Sequence, residues 1–142
     1  VNGIELPPFK GIGHNNSRYP AKSKGAPMST VFSQIINREL PADIVYEDDL
    51  CIVIRDINPQ APVHVLIIPK KEIVSIATVT PEDKEILGHL LVKAREVAEM
   101  LGVAEKGFRL VINTNEDSGQ SVFHLHIHLL AGRRMGWPPW AR

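Results

Sequence analysis

At 142 residues the chain is long enough for one domain that buries about two thirds of its unfolded surface without disulfides or structural metal. Its 16 Lys plus Arg balance 16 Asp plus Glu, which excludes capture of nucleic acid or an anionic membrane by net charge while leaving room for a local phosphate site. A single cysteine, Cys51, excludes an internal disulfide and suits a reducing cytoplasm; no apolar run approaches the ~20 residues of a membrane span, and the N-terminus lacks the pattern of a secretory signal.

Residues 1–28 carry Pro7, Pro8, Pro20 and Pro27 among glycines and polar residues without periodicity, and are expected to be a disordered extension, with Met28 a candidate natural start. The folded domain is then residues 29–142, ending in a short C-terminal tail. From Ser29 or Thr30 a capped short helix is expected through Asn37, with Phe32, Ile35 and Ile36 at helical spacing and Pro41 as its stop. Ile44 to Glu47 and Cys51 to Arg55 read as a hairpin around Asp48-Asp49, and Val63 to Ile68, bounded by Pro62 and Pro69, as a buried third strand. Thr80 and Pro81 open the strongest helix, Pro81 to Leu101, closed by Gly102. Its apolar stripe comprises Ile86, Leu87, Leu90, Leu91, Ala94, Val97, Ala98 and Leu101. Phe108 to Thr114 and Val122 to Leu130 complete five strands. The order implies an α+β domain, an antiparallel sheet with one long and one short helix.

The last strand carries His124-Leu125-His126-Ile127-His128. Alternation puts the three imidazoles on one face, expected to be accessible, and Phe123, Leu125, Ile127 and Leu129 on the other, under the long helix. A solvated polar face is one reading. A metal is a second: alternate strand residues lie about 6.7 Å apart, so three imidazoles in a row cannot share one ion, but two could with His64 as a third ligand. Nucleophilic catalysis is the third and leading one. A neutral imidazole held through one nitrogen offers the lone pair of the other to phosphorus, while its neighbours donate hydrogen bonds to the phosphate oxygens. His126, with a helper on either side, is the natural nucleophile.

Before this strand stands Asp117-Ser118-Gly119-Gln120-Ser121, whose backbone N–H groups and hydroxyls suit an anion. Gly119 permits close approach; Gln120 and Ser121 are candidates for phosphate contacts, and Asn113 for a positioning hydrogen bond. Asp56 is either a turn cap or an acceptor for two ribose hydroxyls, with Ile57 against a base. Phe32, Ile35 and Ile54 would complete an apolar base slot unless they are ordinary core. His64 is a satisfied histidine or a partner of the row; His89 and His14 read as structural or solvent-exposed.

The stretch His124 to Leu130 resembles the motif of the histidine triad (HIT) family, and three further segments resemble its Hint branch of purine nucleoside phosphoramidases: Ile44 to Asp49, Asp56 to His64, and Gly119-Gln120-Ser121-Val122. Trp137-Pro138-Pro139 matches as well, so the resemblance spans about Thr30 to Trp140. It implies a homodimer whose two five-stranded sheets join, binding of purine mononucleotides such as AMP and GMP, and metal-independent cleavage of nucleoside phosphoramidates through a nucleotidyl-histidine on His126. The same resemblance implies that His124 orients His126 and that His128 and Ser121 contact the phosphate. His64 would complete the polar set and Asp56 bind the ribose, with Ile57 and Phe32 at the base and Asn113, Gly119 and Gln120 at the phosphate end. Trp137 would influence the leaving group across the dimer interface. Hydrolysis of nucleoside polyphosphates and nucleotide binding with incidental hydrolysis are the alternatives. Arg55 departs from the histidine common at its position, and Asn115 and Ser118 from glycine.

Overall fold

The computed structural model describes residues 29–141. The expected disordered extension, the start at Met28 and His14 lie outside the described residues, as does Arg142.

Helix α1 (Val31–Ile36) begins at Thr30, whose hydroxyl accepts the Ser33 N–H at 3.1 Å while the Ser33 hydroxyl accepts the Thr30 N–H at 2.9 Å. This reciprocal pair satisfies two otherwise orphaned donors. The helix stops well before Pro41, at Asn37, where Arg38 takes a positive φ of 65°. Strands β1 (Ile44–Glu47) and β2 (Cys51–Arg55) form the expected hairpin. Asp48 closes it, one carboxylate oxygen accepting the N–H groups of Leu50 and Cys51 at 2.8 Å each. Strand β3 (Val63–Pro69) follows.

The long helix enters through a single 3-10 turn, Pro81–Asp83, before α2 (Lys84–Met100). Thr80 and Asp83 form a capping pair, the Asp83 carboxylate accepting the Thr80 N–H at 3.0 Å. Leu90, Ala94, Val97 and Ala98 are buried as the stripe requires, but Leu91 is 51% exposed and belongs with Val92 on the outer side. Its spacing also fits a flank of the stripe, so periodicity alone misplaced it.

Strands β4 (Phe108–Val111) and β5 (Ile127–Ala131) complete a five-stranded antiparallel sheet in the order β1-β2-β3-β5-β4. Cys51, Val53, Val65, Ile67, Ile127 and Leu129 face α2, while Ile52, Ile54, Leu66 and Ile68 face α1. Both end strands are shorter than the sequence suggests: β4 stops at Val111, and residues 122–126 approach β5 without joining the ladder. In that approach the Leu125 N–H bonds to the Ile73 carbonyl at 2.7 Å, and the His124 carbonyl is taken by the ring of His126.

Gly132, just past β5, has a φ of 103°, and a Cβ built there would lie 2.7 Å from the Cβ of Pro62. Gly132→Ala is therefore expected to cost about 2 kcal/mol or more, from the strained backbone and the clash together. Urea unfolding checks this; an unchanged midpoint would show that the loop yields without cost.

Candidate active site

In an antiparallel pair, residues directly opposite share a face. His128 lies opposite Leu66 and His64 opposite Leu130, so both imidazoles stand on the α1 side of the sheet. His124 and His126, though outside the ladder, keep the same alternation, and Phe32 of α1 packs edge-on against them with ring centroids 6.2 and 4.9 Å away. The histidine row is thus separated from the α2 core as the alternation predicts. It is not an open surface, however: all three rings are buried, because α1 and its apolar cluster cover that face.

Backbone carbonyls only accept and backbone N–H groups only donate, so the partners of these rings fix where each proton sits. His126 Nδ1 lies 2.8 Å from the His124 carbonyl and must carry the hydrogen, which leaves the lone pair of Nε2 unprotonated. His124 Nε2 donates to the Pro69 carbonyl at 2.8 Å. Its Nδ1 therefore accepts, from the Thr30 hydroxyl at 3.4 Å. His64 Nδ1 accepts the Gln60 N–H at 3.0 Å, so its hydrogen is on Nε2, 3.0 Å from His128 Nδ1. His128 in turn bears its hydrogen on Nε2, a buried atom with no hydrogen-bond partner. The row thus combines one unprotonated nitrogen on His126 with one uncommitted donor on His128, in rings whose centroids are 5.0 Å apart.

Burial keeps the whole set neutral. It pushes the pKa of His126 down to about 4, with the neighbouring imidazoles adding to the effect and the His124 carbonyl opposing it. Burial likewise takes His64 to about 4 and His128 to about 2, and lowers His124. Desolvation works in the opposite direction on a carboxyl and raises Asp56 to about 6 against the pull of the Asn58 N–H.

The other side chains singled out in the sequence are placed as follows. Asp56 is buried, with Oδ1 accepting the Asn58 N–H at 2.8 Å as a turn cap; its Oδ2 faces His64 Nε2 at 3.4 Å and has no hydrogen bond. Ile35, Ile54 and Phe32 are buried together in the apolar cluster under α1 and present no open slot among the described residues. Ile57, by contrast, is 63% exposed. The Gln120 amide is buried and spent on the protein, accepting the Asn115 N–H at 2.8 Å and donating to the carbonyls of Val74 and Val122 at 3.0 and 3.1 Å. Its side chain holds the loop shut and is not available to a phosphate. That loop contains a 3-10 turn, Glu116–Ser118, with Asn115 at φ 67° and Gly119 at φ 87°. Asn115 thus adopts, as a non-glycine, the positive φ that glycine favours. Ser121 is exposed and Asn113 half-buried. In the tail, Arg109 of β4 donates to the carbonyls of Gly136 and Pro139 at 3.0 and 3.4 Å, beside a Trp137 that is 80% exposed.

Thr30, Gln60 and Pro69 join the site without a signal in the sequence. The last two act through main-chain atoms and carry no side-chain signature, and Thr30 read only as a helix cap.

Among the described residues two groups gather three donor atoms within 4.8 Å. In Asp56, His64 and His128, the Gln60 N–H holds His64 with its proton on Nε2, the atom that would have to ligate. A metal there would turn Nδ1 into a second donor facing that N–H. In Asp48, Cys51 and His89, the Asp48 carboxylate already accepts from Tyr46, His89, Leu50 and Cys51, and burial raises the Cys51 thiol to about 12. Neither set suits an ion.

The HIT domain family model matches residues 37–135. An uncharacterised HIT-like protein of Synechocystis is 61% identical over 110 residues, 78% of this chain and 96% of its own. The purine nucleoside phosphoramidase of Escherichia coli is 51% identical over 107 residues, 75% of this chain and 90% of its own. Among solved structures, a HIT family hydrolase from Legionella pneumophila superposes with a TM-score of 0.77 at 48% identity, covering 78% of this chain and 99% of that one.

Proposed function

The chain belongs to the HIT domain family of hydrolases, and on that premise we propose that it cleaves the P–N bond of purine nucleoside 5′-phosphoramidates through a nucleotidyl-histidine on His126. One observation carries the reading: His126 Nδ1 is held by the His124 carbonyl at 2.8 Å, so Nε2 keeps its lone pair. That nitrogen attacks the α-phosphorus; a P–Nε2 bond forms as the P–N bond to the amine breaks, and the amine leaves after taking one proton from solvent, which the second step's water gives back as it is deprotonated. Water then attacks the same phosphorus and returns His126. Net, one water supplies a hydrogen to the amine and an oxygen to the nucleoside monophosphate.

His128 Nε2–H, buried without a partner, is the donor assigned to a phosphate oxygen, where it gains strength as charge redistributes. Ser121, Asn113 and the backbone at Gly119 are assigned to the phosphate end, Ile57 to the base. The second orphaned atom, Asp56 Oδ2, is the acceptor a ribose hydroxyl would satisfy. The purine nucleoside phosphoramidase name of the E. coli relative supports the substrate class, with AMP and GMP as products. A homodimer is part of the proposal: β4 is an edge strand, able to continue the sheet into a second copy, and exposed Trp137 would then meet the partner's site. The buried free thiol of Cys51 supports a cytoplasmic setting.

The test is a panel of adenosine and guanosine phosphoramidates of the AMP-lysine type against dinucleoside polyphosphates, each with and without excess chelator. We expect kcat/KM at least ~100-fold higher for the phosphoramidates, the margin an enzyme achieves when its site fits one leaving group, and no loss with chelator. A preference for polyphosphates would reassign the substrate. AMP binding with negligible turnover throughout would leave a nucleotide-binding module.

A further inference from the structure

Thr30 does two things at once. Its hydroxyl oxygen accepts the Ser33 N–H as the cap of α1, so the hydroxyl proton is free to point elsewhere, and it lies 3.4 Å from His124 Nδ1. On its far side His124 is anchored by the Pro69 carbonyl at 2.8 Å. Both ring nitrogens of His124 are therefore occupied, and the ring has no atom left for a substrate. What His124 contributes is its main-chain carbonyl, the acceptor that sets the proton position of His126.

We propose that Thr30 is a positioning residue of the hydrolase site, acting through the ring of His124 to hold the carbonyl that keeps His126 Nε2 unprotonated. The assignment rests on the reading of His126 as nucleophile. It links the start of α1 to the reaction centre, with Phe32, two residues on, packed on the same His126 ring. Without the hydroxyl, His124 Nδ1 would be a buried acceptor lacking a partner. The ring would then be anchored at Pro69 alone, and the main chain of His124, no longer fixed through its side chain to the start of α1, would hold its carbonyl less firmly on His126 Nδ1.

Three variants separate this role from a structural one. Thr30→Val keeps the shape and removes the hydroxyl, Thr30→Ser keeps the hydroxyl, and Ser33→Ala weakens the helix cap while leaving the hydroxyl beside His124. The readouts are the ring 15N resonances of His124 without substrate, kcat and KM for an adenosine phosphoramidate, and the urea midpoint. In Thr30→Val the His124 Nδ1 resonance is expected to move downfield, as for a nitrogen that has lost a hydrogen bond. Its kcat should fall about tenfold with KM little changed. Thr30→Ser should restore both. Ser33→Ala should lower the urea midpoint yet keep the resonance and kcat. Equal kcat losses in Thr30→Val and Ser33→Ala, or a His124 resonance that does not move in Thr30→Val, would overturn the proposal. A wild-type chain that turned over no phosphoramidate would sink the functional reading instead, and the resonances would still decide this one.

Discussion

His126→Asn is expected to lower kcat/KM for an adenosine phosphoramidate by ~10⁴-fold or more, the scale of loss when a covalent nucleophile is removed and only binding and oxyanion contacts remain. The amide is short enough to occupy the ring's place but offers no aromatic nitrogen with a lone pair, so no P–N bond to the protein can form. AMP affinity should change far less, since His128 and the loop ending in Ser121 are untouched. Loss of the edge-on contact with Phe32 at 4.9 Å will lower stability somewhat, and the assay must be run where the variant is folded by circular dichroism. The companion experiment is an acid-free quench of the wild type with mass analysis, which should find one nucleoside monophosphate on a peptide containing His126. Turnover of His126→Asn within tenfold of wild type, or a label on His124 or His128, would remove His126 from its role.

Much of this architecture was legible because its signals are local. Asp48 closes the β1–β2 hairpin through bonds to Leu50 and Cys51, two and three residues on, and Thr80 with Pro81 and Asp83 marks the start of the long helix within four residues. The alternation of histidines and apolar residues correctly divided the last segment between two faces. What was not legible depends on contacts distant in sequence. His124 is held by Pro69 and Thr30, 55 and 94 residues away, and nothing in either position's chemistry announces it. The early end of the ladder at Ile127 has the same cause: the His124 carbonyl goes to a side chain and the Leu125 N–H to Ile73, so residues that read as strand have no neighbour to pair with. Ile35 and Ile54 were correctly identified as apolar, but periodicity cannot say whether an apolar residue faces a ligand or other core residues. Gln120 follows the same logic, its amide being spent on the backbone of Asn115, Val122 and the distant Val74, whereas the turn cap at Asp56 is a bond to Asn58, two residues on, and was one of its two readings from sequence.

The burial that keeps His126 unprotonated at neutral pH should also make the domain acid-labile. An imidazole whose folded pKa is depressed binds its proton more readily when unfolded. The stability it represents is full above the unfolded value near 6.5 and is lost as pH falls toward the folded value. His126 and His64, both pushed by burial to about 4, His128 to about 2, and His124 in the same direction all act in this window. Asp56 opposes them. Raised to about 6, its carboxyl holds a proton in the fold that the unfolded chain releases, so its contribution is present at low pH and lost as pH rises through 6. His126, His64 and His128 against the Asp56 carboxyl leave about two net protons taken up on unfolding near pH 5, a slope of ~3 kcal/mol per pH unit, and His124 acts in the same direction. Against a total of about 5–15 kcal/mol for a domain of this kind, unfolding should set in between pH 5 and 4. Urea midpoints at pH 7, 6, 5 and 4.5 should fall steeply, and less steeply in His126→Asn, by about one proton's worth. Equal midpoints at pH 7 and 5 would show that the rings are not held neutral. Because kcat/KM reports the free enzyme, His126 should add no acid limb near the ordinary imidazole value of about 6.5; a loss centred near pH 6 belongs to Asp56 as it takes up a proton and ceases to be a purely accepting ribose partner, and the steeper loss below pH 5 belongs to unfolding.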